Sequence, residues 1–134
     1  MKITLDSNVI IAGFIAHGTC EVVMEKWFQQ HFEVILSEYI IDEVKKSLNK
    51  KIKIPLAKVK EIERLLRTNS TLVAPMNIIE KKLRDPKDLP IIGTAVAGDS
   101  KLLVTGDQDL LVLKKYKKIK IVNPREFLNQ LRIT

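Results

Sequence analysis

Apolar residues along this chain follow two patterns that alternate over its whole length. Short apolar runs, and runs in which apolar and polar residues alternate, are typical of strands. Longer segments in which apolar residues recur every three or four positions are typical of helices. The predicted strands span residues 2–6, 33–36, 71–74, 101–105 and 118–122. The predicted helices span residues 8–16, 20–30, 38–48, 55–66, 89–97 and 110–113, with a last helix that begins at residue 124.

Several of these helices have residues at their ends that favour a boundary. Thr19, Ser37 and Asp88 each precede a helical pattern and are expected to be N-caps. Pro55 suits the first turn of the fourth helix, and Gly98 is expected to end the helix that Asp88 begins. These signals give the predicted elements definite limits.

Strands that alternate with helices predict an α/β fold in which helices cover both faces of a parallel sheet. We therefore expect a three-layer α/β/α arrangement with a five-stranded parallel sheet. A chain of 134 residues, 46% of them hydrophobic, is large enough for one core, so residues 1–134 are expected to form a single domain. Open parallel sheets collect their chemistry in the crevice outside the carboxyl ends of their strands.

Acidic residues lie near the ends of apolar runs in four separated parts of the chain: Asp6, Glu43, Asp88 and Asp107, with Asp109 as a second candidate beside the last. Each also has an ordinary structural explanation, because Asp favours turns and helix caps and a helical Glu often pairs with nearby lysines. Convergence of the four at one sheet edge would create strong repulsion, which a bound cation relieves. The pattern therefore predicts a divalent-metal site.

The net charge of +7 comes mostly from lysine and indicates a polyanionic partner such as nucleic acid, although a solvated surface or an acidic protein partner fits the same charge. Candidate RNA-binding lysines occur in two groups: Lys45, Lys46, Lys50 and Lys51, then Lys114 and Lys115. Aromatic residues make up only 5% of the chain, so base stacking is not expected to dominate binding.

The first residues have neither the long apolar stretch nor the cleavage site of a secretory signal, and Cys20 is the lone cysteine. No segment approaches the roughly 18 uninterrupted apolar residues of a membrane span. We therefore expect a cytoplasmic protein without a membrane partner or an internal disulfide.

Four segments carry a resemblance to a known family: residues 5–10 (LDSNVI), 36–44 (LSEYIIDEV), 84–95 (RDPKDLPIIGTA) and 103–111 (LVTGDQDLL). In this order and spacing they resemble the PIN-domain nucleases, in particular the VapC-like toxins of toxin–antitoxin pairs. The resemblance implies a three-layer fold with a parallel five-stranded sheet, frequent dimerisation, and silencing by a small antitoxin whose tail enters the acidic groove.

Carried over position by position, the resemblance implies metal-binding and catalytic carboxylates at Asp6, Glu43, Asp88 and Asp107. Thr105, Asp109 and Asn8 are implied as supporting residues. We expect Asp6 and Asp88 to bind the principal Mg²⁺ or Mn²⁺ ion, Glu43 to bind or orient its water, and Asp107 to add a weaker second site. Such an ion activates water for attack on a phosphodiester, so the expected activity is a ribonuclease.

Other classes of protein fit the residues less well. A receiver domain needs an acidic pair after its first strand, where Ser7 follows Asp6, and a haloacid-dehalogenase-type phosphatase needs an Asp where Asn8 stands. Glycine-rich nucleotide-binding motifs are absent from the sequence, and His17 and His31 lack zinc-ligand spacing. A non-catalytic PIN-like module that binds RNA or protein stays open as an alternative, as does DNA as the substrate.

Overall fold

The computed structural model describes residues 1–133 and is built around a six-stranded sheet. The strands are β1 (Lys2–Leu5), β2 (Glu33–Leu36), β3 (Ser70–Leu72), β4 (Leu102–Val104), β5 (Lys115–Tyr116) and β6 (Ile119–Val122). The helices are α1 (Ser7–Ile15), α2 (Thr19–Phe28), α3 (Glu38–Lys46), α4 (Leu56–Thr68), α5 (Leu89–Ala97), α6 (Gln108–Leu111) and α7 (Pro124–Ile133). Each predicted strand and helix has a counterpart within a few residues.

The strand order is β3-β2-β1-β4-β6-β5, and the first five of these strands run parallel. The α/β class with helices flanking a mostly parallel sheet is therefore confirmed. The expected strand number was wrong by one, because β5 adds an antiparallel edge strand that pairs Tyr116 with Ile119. Lys117 makes this tight reversal with a φ of 52°. A two-residue lysine-rich strand has no apolar alternation, so the sequence pattern gave no sign of it.

One core fills the space between the sheet and the helices. Its side chains come from the sheet and from the helices. They include the fully buried Ile3 and Leu36 from the strands and Ile40, Ile91 and Phe127 from the helices. Helix α5, which contains the small residues Gly93, Ala95 and Ala97, packs directly against the central strands. Burial of these apolar side chains fixes which face of each element points inward, and thereby which residues emerge at the sheet edge.

Helix boundaries follow the predicted caps with two exceptions. Ser37 accepts a hydrogen bond from the Ile40 N–H (3.5 Å), as expected of an N-cap. The prediction for Thr19 was wrong by one residue, because Gly18 holds the cap position with a φ of 135° that suits glycine. The third helical pattern does not stop at α3: a π-helical turn, Ser47–Lys51, continues it and buries Leu48.

Among the described residues, no single helix is long and apolar enough to cross a bilayer. Helices α1 and α2 reach that length only as a pair, and they are bent by 97° relative to each other.

Candidate functional site

The carboxyl edge of the sheet collects polar residues from two neighbouring strands. Asp6 follows β1, and Thr105 and Asp107 follow β4, which pairs directly with β1. The Asp6 N–H donates to the Val104 carbonyl (2.9 Å), so the register of the two strands continues to the point where the site begins. Parallel pairing thus brings together residues about a hundred positions apart in the chain.

Asp6 is buried and held by several donors. Its Oδ1 accepts the Ser7 N–H (2.7 Å), and its Oδ2 accepts the Thr105 hydroxyl (2.7 Å) and the Asn8 side-chain amide (3.3 Å). Burial raises the pKa of Asp6, the bonds from Thr105 and Ser7 oppose that rise, and the nearby charge of Asp107 adds to it. Asn8 and Thr105 therefore both donate hydrogen bonds to the carboxylate of Asp6.

Glu43 reaches the same region from α3. The Ser7 hydroxyl lies 3.3 Å from Glu43 Oε1 and 3.4 Å from Asp6 Oδ1, so it links the two carboxylates. Burial raises the pKa of Glu43, and the charge of Asp6 raises it further. Asp42, the preceding residue, is exposed. Glu43 therefore lies on the side of α3 that faces Asp6.

Asp88 ends a 3₁₀ turn, Pro86–Asp88, and occupies the N-cap position of α5 as predicted, but its side chain makes no capping hydrogen bond. Its Oδ2 atom is buried and has no hydrogen-bond partner among the described residues. Burial, followed by the charges of Asp107 and Asp6, raises the pKa of Asp88 to about 7. A buried oxygen without a donor is costly unless a cation approaches it.

Asp88, Asp107 and Asp109 form the tightest acidic group, since each offers one oxygen and these atoms all lie within 4.8 Å of one another. Asp107 Oδ1 accepts the Asp109 N–H (2.9 Å), which fixes the turn between them. Asp109, expected only as a supporting residue, thus stands beside Asp88 and Asp107. Asp6 adjoins this group, and Glu43 reaches it through Ser7.

These residues fit a hard divalent cation. The donor set consists of carboxylate oxygens, which Mg²⁺ and Mn²⁺ prefer over nitrogen or sulfur ligands. Burial and then the charges of Asp107 and Asp6 raise the pKa of Asp88, and a bound cation would offset both effects, while the Oδ2 of Asp88 has no hydrogen-bond partner among the described residues. We refer to Asp6, Glu43, Asp88, Asp107 and Asp109 as the acidic centre.

One cation already contacts the acidic centre. Arg84, which is 85% exposed on the segment before α5, donates from Nη2 to Asp109 Oδ1 (2.9 Å). This ion pair was missed by the sequence analysis, because Arg84 and Asp109 meet only through the fold. The one available signal was the position of Arg84 within the segment 84–95.

The predicted RNA-binding lysines do not all lie together. Lys46, Lys50 and Lys51 line an open groove of about 470 Å³ that also contains Glu43. Lys45 instead pairs with Glu63 of α4 (3.2 Å). Lys114 and Lys115 are exposed next to and within β5. This strand forms the edge of the sheet that is farther from β2, the strand before α3. The groove further contains Tyr39 and Lys87, neither of which the sequence analysis singled out.

Together, the flanked parallel sheet and the carboxylates at its edge define an α/β domain with an acidic centre at the carboxyl ends of its strands. The sequence profile of the PIN domain family matches residues 2–109, and the chain belongs to this family. PIN domains are generally nucleases. The expected family relationship is therefore confirmed.

The fold is similar to that of a solved protein from another source. A chain in the crystal structure of VapBC2 from Rickettsia felis, bound to a DNA fragment from their promoter, superposes with a TM-score of 0.61. The match covers 92% of this chain and 98% of that chain at 16% sequence identity, and it therefore supports the fold. No curated protein sequence matches the chain significantly.

Proposed function

We propose that this protein is a metal-dependent endoribonuclease that hydrolyses RNA phosphodiester bonds at the acidic centre. Two observations carry the proposal: Asp88, Asp107 and Asp109 offer oxygens that lie within 4.8 Å of one another, and the buried Oδ2 of Asp88 has no hydrogen-bond partner among the described residues. A protein that only bound polyanions would gain nothing from this concentration of negative charge. Membership of a family of nucleases supports the same conclusion.

The residues have distinct roles in this proposal. Asp88, Asp107 and Asp109 supply the oxygen ligands for Mg²⁺ or Mn²⁺. Asp6, whose charge contributes to the raised pKa of Asp88, adds a further ligand from the adjoining strand. A bound divalent ion lowers the pKa of a coordinated water and offsets charge on the phosphate. Glu43, whose pKa is raised, is placed beside Asp6 to orient the attacking water and take up its proton. Thr105 and Asn8 hold Asp6 in place.

The proposal is tested by cleavage of a labelled single-stranded RNA in Mg²⁺ or Mn²⁺, with a matched DNA oligonucleotide in parallel. We expect cleavage of RNA that stops on addition of a chelator and is lost in Asp6→Asn and Asp88→Asn. Asp42→Asn removes an exposed carboxylate from the same helix as Glu43 and should leave the rate unchanged. Equal cleavage by Asp6→Asn and the unaltered protein would assign the activity to a contaminant or another site.

The alternative is a non-catalytic module that binds RNA or protein through its basic surface. It predicts RNA binding without cleavage at any metal concentration. The acidic centre favours the enzyme over this module, because four or more carboxylates beside a nucleic-acid site weaken binding unless they hold a metal ion. The same cleavage assay separates the two functions.

We further propose that the ribonuclease is the toxin of a toxin–antitoxin pair, with a small antitoxin protein as its partner. The similarity in fold to a chain of VapBC2 supports this role. Expression of the unaltered chain should arrest growth, whereas expression of Asp6→Asn should not. Arrest that co-expression of the product of an adjacent gene relieves, together with co-purification of the two proteins, would establish the pair.

We also propose that residues 1–134 act as one cytoplasmic PIN-like domain that forms a homodimer. The single continuous core supports the domain assignment, and the lone Cys20 is compatible with a reducing compartment. On α4, Val59 and Leu66 are buried whereas Leu56 and Leu65 are 58% and 40% exposed, which leaves apolar surface for a second copy. Sedimentation of the purified chain and of Leu56→Lys/Leu65→Lys tests this interface, since a monomer in both cases contradicts it.

A further inference from the structure

One face of α3 and the π-helical turn after it carries a row of polar side chains that ends at the acidic centre. Tyr39, Glu43, Lys46 and Lys50 recur at intervals of four, three and four residues, which places them on one side of the helix. In the π turn, the Ile52 N–H donates to the Ser47 carbonyl (3.0 Å), five residues back. Such turns widen a helix locally and frequently occur at functional sites.

The groove beside this face is positively charged. Its lining consists of Tyr39, Glu43, Lys46, Ser47, Lys50, Lys51 and Lys87. Glu43 is the one carboxylate in that lining, and none of its lysines takes part in an ion pair within the described part of the chain. Unpaired ammonium groups around an open groove of about 470 Å³ favour a phosphate-bearing ligand of nucleotide size.

The groove is continuous with the acidic centre. Glu43 belongs to both, and the Ser7 hydroxyl joins Glu43 to Asp6. On the far side, Lys87 directly precedes Asp88, and its carbonyl accepts the Tyr39 hydroxyl (2.9 Å). This bond anchors the Tyr39 ring at the wall of the groove, beside the residue that precedes Asp88. An aromatic ring in such a place can stack on a base of any sequence.

We propose that this groove binds the segment of single-stranded RNA that adjoins the cleaved bond. Lys46, Lys50, Lys51 and Lys87 contact its phosphates, and the Tyr39 ring contacts one base. This inference rests on the proposed ribonuclease function and adds the place where the substrate lies outside the acidic centre. It separates these lysines from Lys114, which lines a different groove that contains Gln108 and Glu126 but no carboxylate of the acidic centre.

The test compares two pairs of lysine substitutions with the same change in charge. Lys50→Ala/Lys51→Ala removes two lysines from the groove. Lys2→Ala/Lys101→Ala removes two exposed lysines at the amino ends of β1 and β4, the sheet edge opposite the acidic centre. Binding of a fluorescent single-stranded RNA is measured by anisotropy in Mg²⁺, on the cleavage-deficient Asp6→Asn background, at several salt concentrations.

We expect the groove pair to weaken RNA binding by about tenfold or more. The salt dependence, which is the slope of log K against log salt, should fall by ~1.4, or ~0.7 for each lysine that no longer neutralises a phosphate. In the cleavage-competent protein the groove pair should raise KM with little change in kcat. Lys50→Arg/Lys51→Arg should restore binding, since arginine also binds phosphate. Lys2→Ala/Lys101→Ala should change the RNA affinity and its salt dependence much less.

Tyrosine is tested separately. Tyr39→Phe keeps the ring and loses only the hydroxyl bond to the Lys87 carbonyl, so it should bind RNA nearly as well as the unaltered protein. Tyr39→Leu removes the stacking surface and should weaken binding roughly fivefold or more. Equal RNA affinities of Tyr39→Leu and Tyr39→Phe would show that the Tyr39 ring does not contact a base.

Several outcomes are decisive. Equal effects of the two lysine pairs, in a protein that cleaves RNA, would overturn the groove and leave the ribonuclease intact. Selective loss of RNA binding in the groove pair, in a protein that never cleaves, would support the groove and reject the ribonuclease. Binding of a fluorescent poly-glutamate peptide is measured in the same way. If Lys50→Ala/Lys51→Ala loses affinity for this peptide but not for RNA, the groove binds an acidic protein segment and the proposal is overturned.

Discussion

The hydroxyl of Thr105 donates to Asp6 Oδ2 at 2.7 Å while its oxygen accepts the Asp107 N–H at 3.0 Å. One fully buried side chain therefore connects the carboxylate at the end of β1 to the backbone of the acidic turn after β4. The Thr105 bond also opposes the rise in the pKa of Asp6 that burial causes. Thr105 thus keeps Asp6 both oriented and more readily ionised.

Replacement of Thr105 by valine keeps the shape of the side chain and removes both hydrogen bonds. We expect Thr105→Val to lower metal affinity or kcat/KM by about 10- to 100-fold, the usual loss when a residue that orients a metal ligand is removed. Stability should fall by about 1–3 kcal/mol, because buried partners lose a hydrogen bond. Titration of RNA cleavage with Mn²⁺ and denaturant unfolding measure the two effects.

Thr105→Ser is the matched control, since serine keeps the hydroxyl and loses only a methyl group. It should retain most of the metal affinity. If Thr105→Ser and Thr105→Val lose activity equally, the methyl packing of Thr105 matters and its bond to Asp6 does not.

Asp88 predicts how the metal-free protein responds to pH. Its pKa is about 7 in the fold, whereas its ordinary value is 3.8, so between these values the folded state binds more protons than the unfolded state. Stability contributed by protonated Asp88 is therefore lost as pH rises from about 4 to about 7. Asp88→Asn should remove this loss, and above pH 7 the variant should melt at a higher temperature than the unaltered protein in chelator.

Calorimetry in chelator between pH 4.5 and 8 measures this difference, with Asp42→Asn as an exposed control that should follow the unaltered protein. Added Mn²⁺ at pH 7.5 should raise the melting temperature of the unaltered protein more than that of Asp88→Asn, because only the former has the full set of ligands. If the melting temperatures of Asp88→Asn and the unaltered protein change with pH in parallel, the pKa of Asp88 is not raised in the fold.

If the acidic centre binds a metal ion as proposed, Arg84 should compete with that ion for Asp109. Since Arg84 Nη2 lies 2.9 Å from Asp109 Oδ1, removal of this guanidinium should leave a more negative centre. We expect Arg84→Ala to tighten Mn²⁺ binding by several-fold, as measured by calorimetric titration. Stability should change by less than about 1 kcal/mol, because the arginine is 85% exposed. Weaker Mn²⁺ binding in Arg84→Ala would instead make Arg84 a residue that orients Asp109.

Gly93 sets how closely the chain before Asp88 approaches α5. A Cβ atom at Gly93 would lie 2.2 Å from the Met76 carbonyl oxygen, and the Met76 N–H donates to the Gly93 carbonyl (3.0 Å). Gly93→Ala should therefore destabilise the protein by about 1–3 kcal/mol despite the better helix propensity of alanine.

Gly106→Ala is the control for Gly93→Ala, because the nearest atom to its added Cβ, Asn8 Oδ1, is 3.8 Å away. It should cost little in denaturant unfolding. An equal loss of stability in both variants would show that the close approach at Gly93 is not the cause.

Secondary structure was largely predictable because periodicity depends on neighbouring residues. The strand around Ile3 and the helix that buries Ile40 were both found from the spacing of apolar positions. The two elements that the sequence did not predict are short segments that lack an apolar repeat. Edge strand β5 lacks an apolar pattern, and the π turn that buries Leu48 has the composition of a basic break.

The candidate site was predictable as a set of residue types but not as a geometry. Asp6 and Asp107 could be chosen because each follows a predicted strand, where a parallel sheet exposes its edge. Asp88, at the start of a predicted helix, and Glu43, within one, could be chosen with them because all four segments resemble the PIN-domain family. Nothing in the sequence ranked Asp109 with Asp88 and Asp107, since that depends on the turn after β4.

Local sequence determined the elements, the apolar faces that form the core and the excess of lysine, because these follow from spacing and composition. Tertiary structure decided what depends on distances between separate segments. It placed Thr105 against Asp6, Arg84 against Asp109, and the lysine groove beside Glu43. The raised pKa of Asp88 likewise arises only from packing, which buries its carboxylate and places it beside the charges of Asp107 and Asp6.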